Sequence, residues 1–113
     1  MDIEVTFQEN IHVLKVSGQL DALTAPDYEQ RLNRVIAAGA QRLVVDFGAL
    51  VYISSAGLRA LLNTTKPLMA HGGSLIYVNL QPGVREIFEM TGLLSLFHVC
   101  DSMPEALAEI SVS

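Results

Sequence analysis

Two short runs free of charge, Leu43-Val44-Val45 and Leu75-Ile76-Tyr77-Val78, flank a stretch patterned as a helix. Neither run alternates polar with apolar residues, as a strand wetted on one face would. A short continuous apolar run is what a strand needs when both its faces are buried. Only a sheet with helices packed against it offers two dry faces. The two runs therefore commit the chain to an α/β layer architecture with a mainly parallel sheet.

The remaining elements fit around that centre. Ile3, Val5 and Phe7 alternate with Glu4, Thr6 and Gln8, the period-2 pattern of a half-buried strand. Glu9-Asn10 reads as a turn, and Ile11, Val13, Leu14 and Val16 continue as a second strand that Gly18 closes, so the chain opens with an antiparallel hairpin. Thr24 is placed to N-cap a helix that has Pro26 and Asp27 in its first turn. Tyr28, Leu32, Val35 and Ile36 follow at helical spacing, with Gly39 at the C-terminus. Asp46 falls at the carboxyl end of the first buried run. Ser54-Ser55 opens the next helix, with Leu58, Leu61, Leu62 and Thr65 on one face. Pro67 predicts a kink or early stop, and Gly72-Gly73 an end. Pro82 starts a third helix with Val84, Ile87, Phe88 and Thr91 on one face, closed by Gly92. Residues 96–99 read as a short strand. Ser102 and Glu105 form a capping box before Ala106, Leu107 and Ile110. The expected order is ββαβαβαβα. It describes a single α/β domain over residues 1–113, with about five strands, about four helices and an antiparallel N-terminal hairpin.

Composition narrows the function. Of the 113 residues 50% are hydrophobic and 17% charged, which supports a packed core and argues against disorder. The formal net charge of −5, with no basic cluster, argues against nucleic acid and anionic membrane surfaces as partners. Cys100 is the one cysteine, so no internal disulfide can form. The opening Met1-Asp2-Ile3-Glu4 lacks the basic and apolar regions of a signal peptide, and no apolar run has membrane-spanning length. A cytoplasmic protein is expected.

Enzyme signatures are absent. His12, His71 and His98 are scattered, with no partner at ligand spacing, so no metal site is expected. Neither a phosphate-binding P-loop nor a dinucleotide fingerprint occurs, and no cofactor is expected. Tyr52-Ile53-Ser54-Ser55-Ala56-Gly57 lacks the first glycine of a nucleophile elbow. A two-component receiver domain would need an acidic pair and a lysine that are not present. What remains is a serine at a helix start, where backbone N–H groups converge and the helix dipole favours negative charge. Other residues carry plainer expectations. Asp46 orients loop N–H groups, Asp21 is a capping or solvated aspartate, and Cys100, Phe88 and Met90 belong to the core. Glu86, Glu89, Glu105 and Glu109 lie on solvated helix faces. Leu50, Val51 and Tyr52 are either core or an apolar docking patch.

The segment from Val45-Asp46-Phe47-Gly48 through Ile53-Ser54-Ser55-Ala56-Gly57-Leu58 resembles the signature of STAS domains, in particular stand-alone bacterial anti-sigma factor antagonists. Gly18-Gln19-Leu20-Asp21 with Thr24-Ala25-Pro26 resembles the family's first loop and helix start. Residues 84–97, with Gly92-Leu93-Leu94, resemble its third helix and last strand, and Glu105-Ala106-Leu107 its terminal helix. The resemblance implies partner switching. The unphosphorylated antagonist binds an anti-sigma factor with GHKL-type serine kinase activity. Phosphorylation releases it, and a PPM-type phosphatase resets it. The family's acceptor serine, two residues before the motif glycine, corresponds to Ser55, ahead of Ser54. Asp21, Asp46, Tyr52, Ser54, Ala56, Gly57 and Leu58 shape the loop around it. Ser54 stands where relatives often carry an acid, and Ala56 where they often carry Ser or Thr.

Two other readings stand beside this one. A STAS domain can serve as an unphosphorylated structural or regulatory subunit, for example of an ABC lipid-transport complex or of another non-sigma output. Ser55 would then be only a helix N-cap. A small nucleotide-binding enzyme is the third, but no catalytic base and nucleophile come together in the sequence.

Overall fold

The computed structural model describes residues 1–111. The chain runs β1 (Asp2–Gln8), β2 (Ile11–Leu20), α1 (Ala25–Ala37), β3 (Arg42–Ile53), α2 (Ser55–Ala70), β4 (Ser74–Val78), α3 (Pro82–Met90), α4 (Leu93–Leu96), β5 (His98–Cys100) and α5 (Met103–Ser111). The five strands form one sheet in the order β1-β2-β3-β4-β5. β1 pairs antiparallel with β2, and every later pairing is parallel. Glu9 and Asn10 both take positive φ (51° and 66°), the conformation a two-residue hairpin turn requires.

Sequential strand order has a consequence. Right-handed crossovers that all step the same way put their helices on one face of the sheet. Residues of α1, α2, α3 and α4 accordingly share one hydrophobic cluster with Leu14, Val16, Leu43, Val45, Leu75 and Tyr77. The opposite face carries Ile11, Val13, Val44, Ile76, Val78 and Cys100, and Ala106 and Ile110 of α5 cover it. The two charge-free runs are thus divided residue by residue between two cores, as a strand's alternation demands. Tyr77 sits at the centre of the larger core. Its ring lies 5.3 Å from Phe47 and 5.1 Å from Phe97, and its hydroxyl lies 2.7 Å from the Thr65 hydroxyl.

Several expectations need correction. The described residues form five helices, because Leu93–Leu96 forms a short turn of helix before the last strand, which begins at His98. Gly92, at φ 78°, takes the left-handed conformation that turns α3 into α4. β2 does not stop at Gly18 but runs to Leu20. β3 extends far past Val45, to Ile53. Its ladder with β2 slips twice, so the segment from Asp46 to Ile53 spans the same length as Lys15 to Leu20. Each slip inserts an extra residue, and the buried positions become Phe47, Leu50 and Ile53, every third residue. Pro67 neither stops α2 nor ends it early, since the helix reaches Ala70. Phe88 is buried as expected, but Met90 is 79% exposed and belongs to no core.

Candidate functional site

The loops after β2 and β3 lie side by side because Leu20 pairs with Ile53. The Ser54 N–H donates to the Leu20 carbonyl at 2.9 Å, and the chain turns into α2 there. Ser54 has extended backbone and its hydroxyl accepts from the Gly57 N–H at 3.3 Å, so Ser54 is the N-cap. That removes the plain role foreseen for Ser55. Ser55 is the first helical residue, exposed, and its hydroxyl makes no hydrogen bond among the described residues. The first turn of α2 contains no acidic residue, so the partial positive charge of the helix terminus is not neutralised from within.

Gly57 fixes how closely this helix start approaches the sheet. A Cβ there would sit 2.5 Å from the Leu20 carbonyl oxygen and 2.8 Å from Ile53 Cγ1. Glycine is therefore required by close approach, not by backbone conformation. Ala56 and Leu58 are half-buried beside it, and Leu58 packs against the larger core.

Asp21 borders the serines and is occupied in shaping its own loop. Its carboxylate accepts from the N–H groups of Leu23 (3.0 Å) and Thr24 (3.2 Å), while its carbonyl accepts from Ala25. Thr24 holds the N-cap position of α1, but its hydroxyl does not cap the helix. It reaches back to the Gln19 carbonyl at 2.9 Å. Among the described residues no side chain caps α1; the Asp21 carboxylate instead holds the N–H groups of the loop ahead of it.

Asp46 stands apart from this group. It lies five pairing steps from Ile53 along β2, roughly 16 Å at strand rise. Its carboxylate accepts from the Gly48 N–H at 2.8 Å and from the Asn79 side-chain amide at 3.2 Å. Its orienting role is the expected one, but it supports the β3–β4 end of the sheet and not the serine loop. The apolar trio divides: Leu50 is fully buried, whereas Val51 is 60% and Tyr52 48% exposed. Leu23, at 91% exposure in the loop after β2, adds to the apolar surface and was not singled out in the sequence.

The histidines are not all isolated. His98 and Cys100, two apart on β5, point to the same side, and α5 brings Glu109 over them. The Glu109 carboxylate lies 2.7 Å from His98 Nε2 and accepts from the Cys100 thiol at 2.8 Å. Burial, and then the carboxylate, push the thiol up to about 12, while the thiol's hydrogen bond and His98 hold Glu109 below the usual carboxylate range. Glu109 is thus more than part of a solvated helix face. The signal in the sequence was the His-x-Cys pair on a strand followed by a returning helix.

A small mixed α/β domain, with an uncapped serine presented at an exposed helix start, is the class of protein this geometry defines. Residues 2–106 match the STAS domain family, and the chain belongs to it. BtrV of Bordetella bronchiseptica is 41% identical over 93 residues, covering 82% of this chain and 80% of that one. The anti-sigma-B factor antagonist of Staphylococcus aureus is 31% identical over 99 residues, covering 88% and 92%. The crystal structure of an anti-sigma factor antagonist from Mycobacterium paratuberculosis superposes with a TM-score of 0.89 at 30% identity, covering 97% and 93%. The phosphorylated form of the Bacillus cell fate determinant SpoIIAA shares the fold, with a TM-score of 0.73 at 22% identity over 96% and 99%. Among the described residues no helix is long and apolar enough to cross a membrane.

Proposed function

We propose that this chain is an anti-sigma factor antagonist that works by partner switching, with Ser55 as the phosphorylated residue. The observation that carries the reading is the division of labour between the two serines. Ser54 takes the capping role, accepting from the Gly57 N–H, while the Ser55 hydroxyl is left exposed and unengaged. The unphosphorylated protein docks through the surface around the serine loop, where Leu23, Val51 and Tyr52 supply exposed apolar area. The partner is an anti-sigma factor with GHKL-type serine kinase activity. Phosphorylation adds about −1.5 to −2 charge in the middle of that surface. A loss of about 3 kcal/mol on docking would weaken the complex more than a hundredfold. The domain itself tolerates the phosphate, because the helix start offers N–H groups and positive potential. A PPM-type phosphatase then restores binding. The protein acts as a substrate of both enzymes and catalyses neither step, and the setting is the cytoplasm. The whole of 1–113 acts as one STAS domain. In this scheme Asp21 and Gly57 shape the loop, and Asp46 serves the sheet.

The relatives' roles agree with this reading. One is an anti-sigma-B factor antagonist, and a fold-mate has been solved in a phosphorylated form. A pull-down from the native host, with wild type, Ser55→Ala and Ser55→Asp as baits and mass spectrometry as readout, tests it. A GHKL-type kinase held by wild type and Ser55→Ala but lost by Ser55→Asp is the expected result. One non-kinase partner held equally by all three would make the domain a static subunit instead.

A further inference from the structure

We propose that His98, Cys100 and Glu109 form a zinc site on the α5 face of the sheet, separate from the serine loop. The three donor atoms, one from each residue, all lie within 4.8 Å of one another. A thiol, an imidazole and a carboxylate make a mixed donor set of the kind zinc accepts with three protein ligands and one open position. A tetrahedral zinc ion with ordinary bond lengths requires donor separations of about 3.4–3.6 Å. The observed separations are 3.9 Å from Cys100 Sγ to His98 Nε2, 2.8 Å from Sγ to Glu109 Oε2, and 2.7 Å from Nε2 to Oε2. The sulfur and nitrogen already span nearly the right distance. Only the carboxylate has to withdraw, by about 0.7 Å on those bond lengths. The Glu109 side chain is 46% exposed, so solvent borders the carboxylate that has to shift.

The supporting frame is rigid on one side and open on the other. His98 and Cys100 are held in register with Ile76 and Val78 of β4, and Cys100 is only 3% exposed. The His98 side chain is 52% exposed, so an ion can enter from solvent and keep a water in its fourth position. Glu105 adds negative charge close to Cys100, whereas Asp101 beside it is paired with Arg85 at 2.7 Å. On binding, the S–H bond breaks, the zinc–sulfur bond forms and the proton leaves to the buffer, while His98 carries its remaining proton on Nδ1. The ion would join the edge strand to the terminal helix in place of the present hydrogen bonds.

The test uses the full chain, stripped with chelator and titrated with Co²⁺ and then Zn²⁺. Wild type should take up one Co²⁺ per chain, with the thiolate-to-cobalt charge-transfer band and the strong d–d absorption of tetrahedral ligation. Zn²⁺ should displace it and raise the midpoint of thermal unfolding. Cys100→Ser should abolish the charge-transfer band. Because Cys100 is buried, the exposed-site variants His98→Ala and Glu109→Gln serve as second probes, and each should weaken Zn²⁺ binding at least about tenfold. Absence of the charge-transfer band in wild type, or Zn²⁺ affinity unchanged in His98→Ala, would overturn the site.

Discussion

At the scale of single residues, close approach and unmet polarity make the firmest demands. Gly57 is the sharper case. Its missing side chain leaves the helix start resting on the Leu20 carbonyl, and a methyl group placed there would overlap backbone that cannot swing away. Gly57→Ala is expected to lower unfolding stability by about 1–3 kcal/mol, the usual scale of overpacking, read as a shift of the urea midpoint at unchanged slope. Two buried tyrosines give a contrasting pair. Tyr77 shares a 2.7 Å hydrogen bond with Thr65, whereas the buried Tyr28 hydroxyl faces Tyr77 and Thr64 without a hydrogen bond of good geometry among the described residues. Burial drives both phenols upward from their ordinary value, so both stay neutral. Tyr77→Phe should therefore cost about 1 kcal/mol, while Tyr28→Phe removes an unpaired group and should be neutral or stabilising. Equal losses in the two variants by thermal unfolding would show that Tyr28 has a partner after all.

At the scale of elements, what was legible in the sequence followed the strength of each periodic signal. The runs at 43–45 and 75–78, and the helical stripe from Tyr28 to Leu32, were clear because each sits in regular geometry with one consistent spacing. β3 was read far too short because its second half abandons period two. Two register slips set Phe47, Leu50 and Ile53 inward at intervals of three, a pattern that belongs to neither a regular strand nor a helix. α4 was missed because four residues, Leu93–Leu96, cannot show a helical period. The start of α2 was legible at the Ser54-Ser55 pair, but not which of the two serines caps it. Only the geometry of Ser54 Oγ against the Gly57 N–H decides that. Of the His98, Cys100 and Glu109 cluster only the His-x-Cys pair on a strand was legible, because Glu109 joins it through the fold, on a helix that returns across the sheet. The loop before α1 shows the same limit, since Thr24 does not cap the helix and Asp21 holds the loop's N–H groups ahead of it. Asp21→Ala should cost about 1 kcal/mol and speed amide exchange at Leu23 and Thr24. Asp21→Asn keeps an acceptor oxygen and should restore most of that protection. Failure of the asparagine to do so would mean that the charge, not the hydrogen bonds, holds the loop.

At the scale of the whole molecule, the proposed switch needs a domain whose stability is indifferent to the state of its surface. The layered design provides this. The two cores lie on either side of the sheet, and Ser55 is exposed, because Ser54 and Gly57 form the junction between α2 and the strands. A negative charge at the first helical residue also acts with the helix dipole, a stabilisation of about 0.3–1 kcal/mol. Ser55→Asp should then melt at the wild-type temperature or slightly above it, while its affinity for the anti-sigma factor falls by two orders of magnitude or more, on the same ~3 kcal/mol loss that phosphate would impose. Ser54→Ala should behave in the opposite sense. It gives up the N-cap and should lose about 1 kcal/mol of stability, yet it leaves Ser55 in place as a phosphate acceptor. Calorimetry on both variants, paired with titration of the partner, separates the two roles. If Ser55→Asp lost stability in step with affinity, the loss of binding would be a consequence of unfolding, and the serine would belong to the architecture and not to a switch.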